Sequence, residues 1–284
     1  MNPTDARIVL TGAAGGIGSA VARQLARSGA ALLLTDLRQE PLDRLAAELA
    51  RTGNVPRTIA ADVATEAGRA ALAAAAREQR SNVLINAAGI NPFGWFAEQS
   101  AAEISKALSI NAIAPILLCH ALLPVLRERA RAHIINVGST FGSIGFPGFA
   151  VYSASKFAVR GFSEALRREL ADTKIRVHYV APRATSTALA TDRVRAMNAE
   201  LGVGMDSPLV VAQAIEAVLR DERSEWLLGT PERWFATLNA LLPAVVDRSL
   251  RRQLAIIRRY AAPERDRPVP GASSTLSVTT QRST

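Results

Sequence analysis

Apolar residues in the first 230 positions fall into seven short runs, separated by longer stretches in which apolar residues recur every three or four positions. The second spacing is typical of amphipathic helices, and the short runs are typical of buried strands. The runs that we predict to be strands are residues 8–10, 31–35, 58–60, 83–85, 133–137, 175–180 and 225–228. Because these runs are too apolar to face water on one side, we expect a parallel sheet covered by helices on both faces.

The first predicted strand runs into a glycine-rich turn at residues 11–18, and an amphipathic helix follows. Glycines let a pyrophosphate approach the backbone, and the helix N-terminus offers free N–H groups. A turn needed only for packing is the alternative, but the flanking strand and helix favour nucleotide binding. The chain is therefore predicted to be an α/β protein with a doubly wound, seven-stranded Rossmann sheet.

Asp36 ends the second predicted strand. A carboxylate at this position can accept hydrogen bonds from both hydroxyls of an adenosine ribose, and it repels a 2′-phosphate. The sequence therefore predicts that NAD is the preferred cofactor. Arg38 lies two residues further on and leaves NADP as an alternative.

Tyr152 and Lys156 are four residues apart and share one face of a predicted helix. The reference pKa of a tyrosine is about 10, and a neighbouring ammonium together with the positive charge of a nicotinamide would lower it. Such a tyrosine can act as a general acid/base, whereas an ordinary surface contact is the alternative. Ser139 favours catalysis, because it follows the fifth strand at the edge where open α/β sheets bind ligands.

With these residues in place, the chain resembles the short-chain dehydrogenase/reductase family over residues 6–230. The motifs that carry the resemblance are residues 11–18 (TGAAGGIG), Asp62-Val63, residues 86–89 (NAAG), Asn111, Ser139, and Tyr152 to Lys156. The resemblance implies an oxidoreductase that interconverts a secondary alcohol and a ketone by hydride transfer with NAD(P). A catalytically silent dinucleotide-binding sensor or scaffold is the alternative, and the complete Tyr, Lys and Ser set argues against it.

The resemblance also implies a role for each motif. Tyr152 would exchange a proton with the substrate oxygen, Ser139 would hydrogen-bond that oxygen, and Lys156 would bind the nicotinamide ribose and lower the tyrosine pKa. Asn111 would hold a water in a proton relay. The predicted cofactor site comprises Gly12, Gly15, Gly16, Ile17, Gly18, Asp36, Asp62, Val63, Asn86, Ala87, Gly89, Tyr152, Lys156, Pro182 and Thr187.

One position departs from the family pattern, in which Pro-Gly follows the sixth strand: here Arg183 follows Pro182. We expect Arg183 to narrow the substrate entrance or to meet an anionic group. In the family, substrate choice depends mainly on the segment that corresponds to residues 183–207. Aromatic residues predicted to form a pocket for a hydrophobic or acyl-type substrate, with ordinary packing as the alternative for each, are Phe93, Trp95, Phe141, Phe146 and Phe149.

An amphipathic helical extension at residues 231–262 is expected to follow a catalytic domain at residues 1–230. Apolar residues from Trp234 onward are joined to arginines that continue to Arg259. The extension either packs on the domain or a partner subunit, which we favour, or contacts an anionic membrane surface through residues 234–259. The Ser/Thr-rich residues 263–284 are predicted to form a flexible tail.

Composition and charge narrow the remaining possibilities. The net charge of +9 is spread along the chain, so no nucleic-acid partner is expected. Cys119 is the single cysteine, which excludes a disulfide framework and a cysteine-rich zinc site, and no metal is expected. With no secretory signal or membrane-spanning run in the sequence, we expect a cytoplasmic homodimer or homotetramer that acts on a small carbonyl or alcohol substrate.

Overall fold

The computed structural model describes residues 1–262 and contains one seven-stranded parallel sheet with strand order β3-β2-β1-β4-β5-β6-β7. The strands are β1 (Arg7–Thr11), β2 (Ala31–Asp36), β3 (Arg57–Ala60), β4 (Val83–Asn86), β5 (Ala132–Val137), β6 (Ile175–Ala181) and β7 (Glu225–Leu227). The predicted doubly wound Rossmann sheet is therefore confirmed. The predicted flexible tail at residues 263–284 lies outside the described residues.

Helices cover both faces of the sheet, and two of them follow the last strand. They are α1 (Gly16–Arg27), α2 (Gln39–Ala50), α3 (Glu66–Gln79), α4 (Ala101–Leu108), α5 (Ala114–Arg127), α6 (Ala150–Glu169), α7 (Asp192–Glu200), α8 (Pro208–Asp221), α9 (Thr230–Leu241) and α10 (Pro243–Ala261). A short π-helix, Ser109–Ile113, joins α4 to α5.

Alternation along the central strands divides the core into two layers. Ile8 and Leu10 of β1 pack with α1, α2 and α8, whereas Val9 packs on the other face with α3, α5 and α6. All three side chains are fully buried. The strand order reverses at β1, which pairs with β2 on one side and β4 on the other, and such a switch opens a crevice at the carboxyl ends of the strands.

The stretch Ala101–Arg127 is long and apolar enough to cross a membrane by length and composition. In the fold, however, Leu118, Leu122 and Leu126 of this stretch are buried against the sheet. Asn111 interrupts it with a buried polar side chain. Core packing therefore accounts for part of its apolar character, whereas Ile113 and Leu117 of the same stretch are exposed.

Candidate active site

The glycine-rich turn after β1 brings the backbone of three segments close together. Gly12 has φ +64°, and a Cβ there would lie 2.7 Å from the Cα of Ala88. A Cβ on Gly16 would lie 2.6 Å from the side chain of Thr187. Gly15 caps α1 without a side-chain hydrogen bond, so the N–H groups of the first turn stay available to an anion.

This glycine-rich cradle fits a dinucleotide, because Gly12 and Gly16 let the three segments meet closely beside the start of α1, where no side chain caps the first N–H groups. Asp36 lies beside the cradle: its Oδ2 accepts a hydrogen bond from the Ala14 N–H at 3.0 Å, and its Oδ1 accepts one from the Leu37 N–H at 2.8 Å. Two backbone donors thus fix the carboxylate at the end of β2. Asp62 is exposed and Val63 half-buried after β3, where Asp62 Oδ1 accepts a hydrogen bond from the Ala64 N–H.

The segment after β4 is tied to the same cradle through its backbone. Thr11 Oγ1 accepts hydrogen bonds from the N–H groups of Ala87 and Ala88 at 3.0 and 3.1 Å. The Asn86 side chain is buried and donates to Asn136 Oδ1 at 2.9 Å. Sequence reasoning gave Asn86 a place at the cofactor, but its side chain holds β4 to β5, and only the following backbone borders the turn.

Ser139, Tyr152 and Lys156 come together at the carboxyl end of β5. Ser139 caps a short 3-10 turn after this strand, while the other two residues lie on α6. Ser139 and Tyr152 line one cavity. Lys156 is buried behind them, with its Nζ 5.7 Å from the Tyr152 ring centroid and 3.1 Å from the Val137 carbonyl oxygen to which it donates. The structure therefore brings together the three residues that the sequence analysis grouped.

Burial controls the protonation of this group. Loss of water raises the pKa of Tyr152, and a hydrogen bond with Ser139 opposes that shift. Burial also lowers the pKa of Lys156 to about 8. The expected lowering of the tyrosine pKa by Lys156 is thus not what the protein groups produce, because desolvation of the phenolate outweighs the stabilisation they offer.

Asn111 lies in the π-helix, a local distortion that is frequent at functional sites. Its Oδ1 accepts a hydrogen bond from the Ile90 N–H, and its Nδ2 donates to the Ile90 carbonyl, both at 2.8 Å. Nδ2 also lies 3.3 Å from Ser155 Oγ, which donates to the Tyr152 carbonyl. The side chain therefore links the loop after β4 to the tyrosine helix, and the water relay stays a prediction.

The cavity above Ser139 and Tyr152 has a volume of about 510 Å³. Three of the five predicted aromatic residues, Phe141, Phe146 and Phe149, line it. Phe93 packs behind them, with its ring centroid 4.7 Å from that of Phe149, and Trp95 belongs to the same buried cluster. The sequence alone could not show which of the five aromatic residues line the cavity and which two, Phe93 and Trp95, pack behind them.

Helices α9 and α10 contribute a part of the cavity lining that we call the outer wall. Phe235 of α9 and Val246, Leu250 and Gln253 of α10 line it. The α10 residues are spaced by four and three positions, which places them on one helix face. Sequence reasoning did not assign them to the substrate site, although this spacing was the available signal. Towards its end α10 packs on α7, and Ile257 is fully buried there.

Arg183 meets anionic groups of the protein itself. Its Nη2 lies 2.7 Å from Asp206 Oδ1, and its Nη1 lies 3.3 Å from Glu232 Oε1. These carboxylates raise the pKa of the guanidinium above its already high value. Arg183 lines the cavity and connects the end of β6 to the segment before α8 and to the start of α9. The sequence analysis did not identify either partner.

Comparison with known proteins agrees with this geometry. Residues 6–198 match the family model described as short chain dehydrogenase. The chain belongs to the short-chain dehydrogenase family. The family assignment from the sequence motifs is thus confirmed.

Several relatives extend the similarity beyond the matched segment. Dehydrogenase/reductase SDR family member 7B from Bos taurus is 32% identical over 263 residues, which cover 86% of this chain and 80% of the relative. A short-chain dehydrogenase/reductase from Burkholderia phymatum, solved in complex with NAD, has a TM-score of 0.79 at 25% identity and covers 86% of this chain and 96% of its own.

A short-chain dehydrogenase from Sphingobium yanoikuyae, solved in complex with NADPH, has a TM-score of 0.72 at 28% identity, covering 85% of this chain and 96% of its own. The two solved relatives therefore bind different nicotinamide dinucleotides. Family and fold make the present protein a nucleotide-dependent short-chain oxidoreductase, and they leave the choice between NAD and NADP to its own residues.

Proposed function

We propose that this short-chain dehydrogenase interconverts a secondary alcohol and a ketone on a hydrophobic or acyl-type substrate, with NAD as the preferred cofactor. One observation carries the proposal: Ser139 and Tyr152 line an apolar cavity that Ile17 and Thr187, from the cofactor side, also line. The proton-transferring group and the dinucleotide cradle thus meet at one place.

Tyr152 holds the proton that the reaction needs. Because burial raises its pKa, the hydroxyl stays protonated at neutral pH and can donate to the oxygen of a ketone as that oxygen gains charge. Ser139 Oγ donates a second hydrogen bond to the same oxygen. When bound, the nicotinamide supplies or accepts the hydride, and in its oxidised form it adds a positive charge that favours the phenolate during alcohol oxidation.

Lys156 supports the tyrosine from behind. Its ammonium lies within 5.7 Å of the phenol ring and is anchored to the Val137 carbonyl, an arrangement that leaves further N–H donors for the ribose hydroxyls of the cofactor. Asn111 fixes the helix turn on which Tyr152 is presented. We assign these two residues to binding and positioning.

The cavity favours an apolar substrate. A volume of about 510 Å³ suits a small-molecule ligand. Phe141, Phe146 and Phe149 form one side, and Phe235, Val246 and Leu250 form the opposite side. These walls exclude water from the reacting oxygen and offer contacts to an alkyl or acyl chain.

Asp36 supports the preference for NAD. Its carboxylate is fixed by two backbone N–H donors beside the glycine-rich turn, and it keeps lone pairs for the adenosine ribose hydroxyls. A 2′-phosphate at the same place would meet this charge. Arg38 is exposed at the start of α2 and leaves NADP as the alternative.

The experiment is a turnover screen of the full chain with NADH and NADPH against ketones and acyl thioesters of increasing chain length. We expect higher kcat/KM with NADH and with longer apolar substrates. In Asp36→Asn, which removes only the charge, we expect the preference for NADH to fall by about tenfold. Failure of all substrates with both cofactors would favour the silent dinucleotide-binding alternative instead.

A further inference from the structure

Helix α9, the residue that joins it to α10 and the first turn of α10 expose several large apolar side chains. Relative exposures are 72% for Trp234, 46% for Phe235, 73% for Leu241, 55% for Leu242 and 52% for Val245. We call these five residues the hairpin patch. Single exposed apolar residues are normal on protein surfaces, but a cluster of this kind marks an interaction site.

Exposed arginines that form no ion pair within residues 1–262 lie on the same two helices as the hairpin patch. Arg233, Arg248, Arg251 and Arg252 are exposed, and none of the ion pairs found in residues 1–262 involves them. Arginines further along α10 have partners, since Arg259 pairs with Glu200 and the Arg258 guanidinium lies over the Trp95 ring. Within α9 and α10, the arginines without such a partner therefore lie in residues 233–252, the stretch that also carries the exposed apolar residues.

We propose that the hairpin patch docks the protein on the surface of an anionic lipid bilayer. Exposed apolar side chains of a helix pair can enter the boundary between headgroups and acyl chains, while arginines bind anionic headgroups. A second copy of the same face would bring like-charged arginines together, which opposes self-association through the patch. Charge complementarity therefore favours an anionic bilayer over a second copy of this chain as the partner of the hairpin patch.

The patch is continuous with the substrate cavity. Phe235 belongs to the patch and also lines the cavity, and Val246, which follows Val245 of the patch, lines it too. Docking would place this wall of the cavity at the lipid surface, from which an apolar substrate can enter. This route for the substrate rests on the proposed function, whereas docking itself does not.

The test is flotation of the full chain with two kinds of vesicle, pure phosphatidylcholine and equimolar phosphatidylcholine and phosphatidylglycerol. We expect wild-type protein to float with the anionic vesicles only, and less so as salt is raised. Trp234→Gln/Leu241→Gln and Arg248→Gln/Arg251→Gln should each weaken binding by about tenfold. Val55→Gln and Arg27→Gln/Arg51→Gln are matched controls, since these exposed residues lie on other elements.

Circular dichroism of each variant shows whether the fold is kept, and turnover of a water-soluble ketone shows whether the active site is intact. Equal flotation of wild type and patch variants, or no flotation with either vesicle, would overturn the proposal. So would a smaller oligomer of the patch variants in sedimentation velocity, because that result assigns the patch to a second copy. Flotation without any turnover would support docking and count against the proposed function alone.

An independent observation concerns Tyr179 of β6, which is buried beneath the catalytic serine. The Ser139 N–H donates to the Tyr179 hydroxyl at 3.3 Å, and the hydroxyl donates to the Ser139 carbonyl at 3.2 Å. Two glycines make room for the phenol: a Cβ on Gly138 would lie 2.1 Å from the ring, and one on Gly142 would lie 2.2 Å from its oxygen. The tyrosine and the two glycines therefore form one fitted unit.

The geometry points to Tyr179 as a positioning residue for Ser139. Burial holds the pKa of Tyr179 well above its usual range, so the hydroxyl remains a donor and an acceptor at all working pH values. It can thus fix both backbone groups of the serine at once. Tyr179 itself is 1% exposed and does not line the cavity, so it acts on the substrate only through Ser139.

Tyr179→Phe keeps the ring and removes the hydroxyl. We expect kcat to fall by about three- to tenfold, with KM and the dissociation constant of NADH unchanged. In a Ser139→Ala background the same substitution should have no further effect on kcat, because the group that it positions is gone. An unchanged kcat in Tyr179→Phe, or an equal loss in both backgrounds, would overturn the assignment.

Discussion

The floor and the outer wall of the substrate cavity are built on different parts of the molecule. In the floor, Ser139 directly follows β5 and Tyr152 lies on α6, and both of these elements contribute residues to the buried core. The outer wall comes from α9 and α10, which bury few residues and expose their outer faces. Ser139 and Tyr152 are therefore held by elements of the core, whereas the wall is built from helices that follow the last strand.

The wall is attached mainly by polar contacts and a small apolar cluster. Arg183 joins it to the end of β6, and Asn239 Nδ2 donates to the Ser143 carbonyl at 3.0 Å. Ala236 and Val246 pack with Ile144 beneath the two helices. Residues of α9 and α10 can therefore be substituted without displacing Ser139 and Tyr152. Such a division would let related proteins differ in substrate while they share one reaction.

Removal of the Ser139 hydroxyl should show directly how much the floor of the cavity contributes to kcat. In Ser139→Ala we expect kcat to fall by about 10²-fold or more, because the substrate oxygen loses a fixed donor. Affinity for NADH should not change. Ser143→Ala is the control, since this nearby serine accepts a hydrogen bond from Arg160 and does not line the cavity. A similar loss in the control would show that the effect is structural.

A bulky residue in the wall should change substrate choice instead. Leu250→Trp fills part of the cavity, and we expect kcat/KM for long-chain ketones to fall by about tenfold or more relative to short ones. Ala255→Trp, at an exposed position of the same helix, is the matched control. Equal losses for long and short substrates would contradict the assignment of α10 to specificity.

Cofactor binding should depend on pH through Lys156. Its folded-state pKa of about 8 means that the ammonium loses its proton as the pH rises through 8, and we expect NADH affinity to fall by about tenfold between pH 7 and 9. Fluorescence titration of NADH measures this change. Lys156→Arg keeps the charge and should bind NADH with no such dependence.

The stability of the folded protein should also depend on pH through Lys156, but it should rise with pH where the affinity for NADH falls. Between pH 8 and the ordinary lysine pKa of 10.5 the unfolded chain binds the lysine proton and the folded protein does not, so this contribution to stability rises with pH. Denaturant unfolding of wild type and Lys156→Met across this window isolates it. A difference between the two proteins that stays constant with pH would contradict the lowered pKa.

The smallest expected effect comes from the link between wall and sheet. Arg183→Met keeps the aliphatic stem but leaves Asp206 and Glu232 without their shared cation. Since the arginine is partly exposed, we expect a loss of about 0.5–1 kcal/mol in stability and a rise of a few-fold in KM at nearly constant kcat. Arg44→Met, which removes an exposed ion pair on α2, is the control for KM.

The strands, the glycine-rich turn and the grouping of Tyr152 with Lys156 could be predicted from the sequence because each depends on local pattern. A buried parallel strand needs an apolar run, and a tyrosine and a lysine four residues apart share a helix face in any fold. The upward shift that burial gives the pKa of Tyr152 could not be predicted in this way, because burial depends on the packing of distant segments. The lowering of this pKa by the lysine and the nicotinamide together stays a prediction.

The wall and the support beneath Ser139 could not be predicted in the same way. Arg183 finds its partners 23 and 49 residues away, at Asp206 and Glu232, and nothing in the local sequence marks them. In the sequence, Tyr179 cannot be distinguished from an ordinary core residue, because it lies within the apolar run of β6. Only the pairing of its ring with Gly138 and Gly142, which follows from the β5–β6 register, shows its place under the serine.

The most direct test of the central claim is a comparison of NADH binding and turnover in wild type and Tyr152→Phe. The variant keeps the ring and loses only the hydroxyl, so we predict an unchanged dissociation constant for NADH. We predict a fall in kcat of about 10²- to 10⁴-fold with the best ketone of the screen. Turnover close to that of wild type in Tyr152→Phe would contradict the assignment of this tyrosine as the general acid/base.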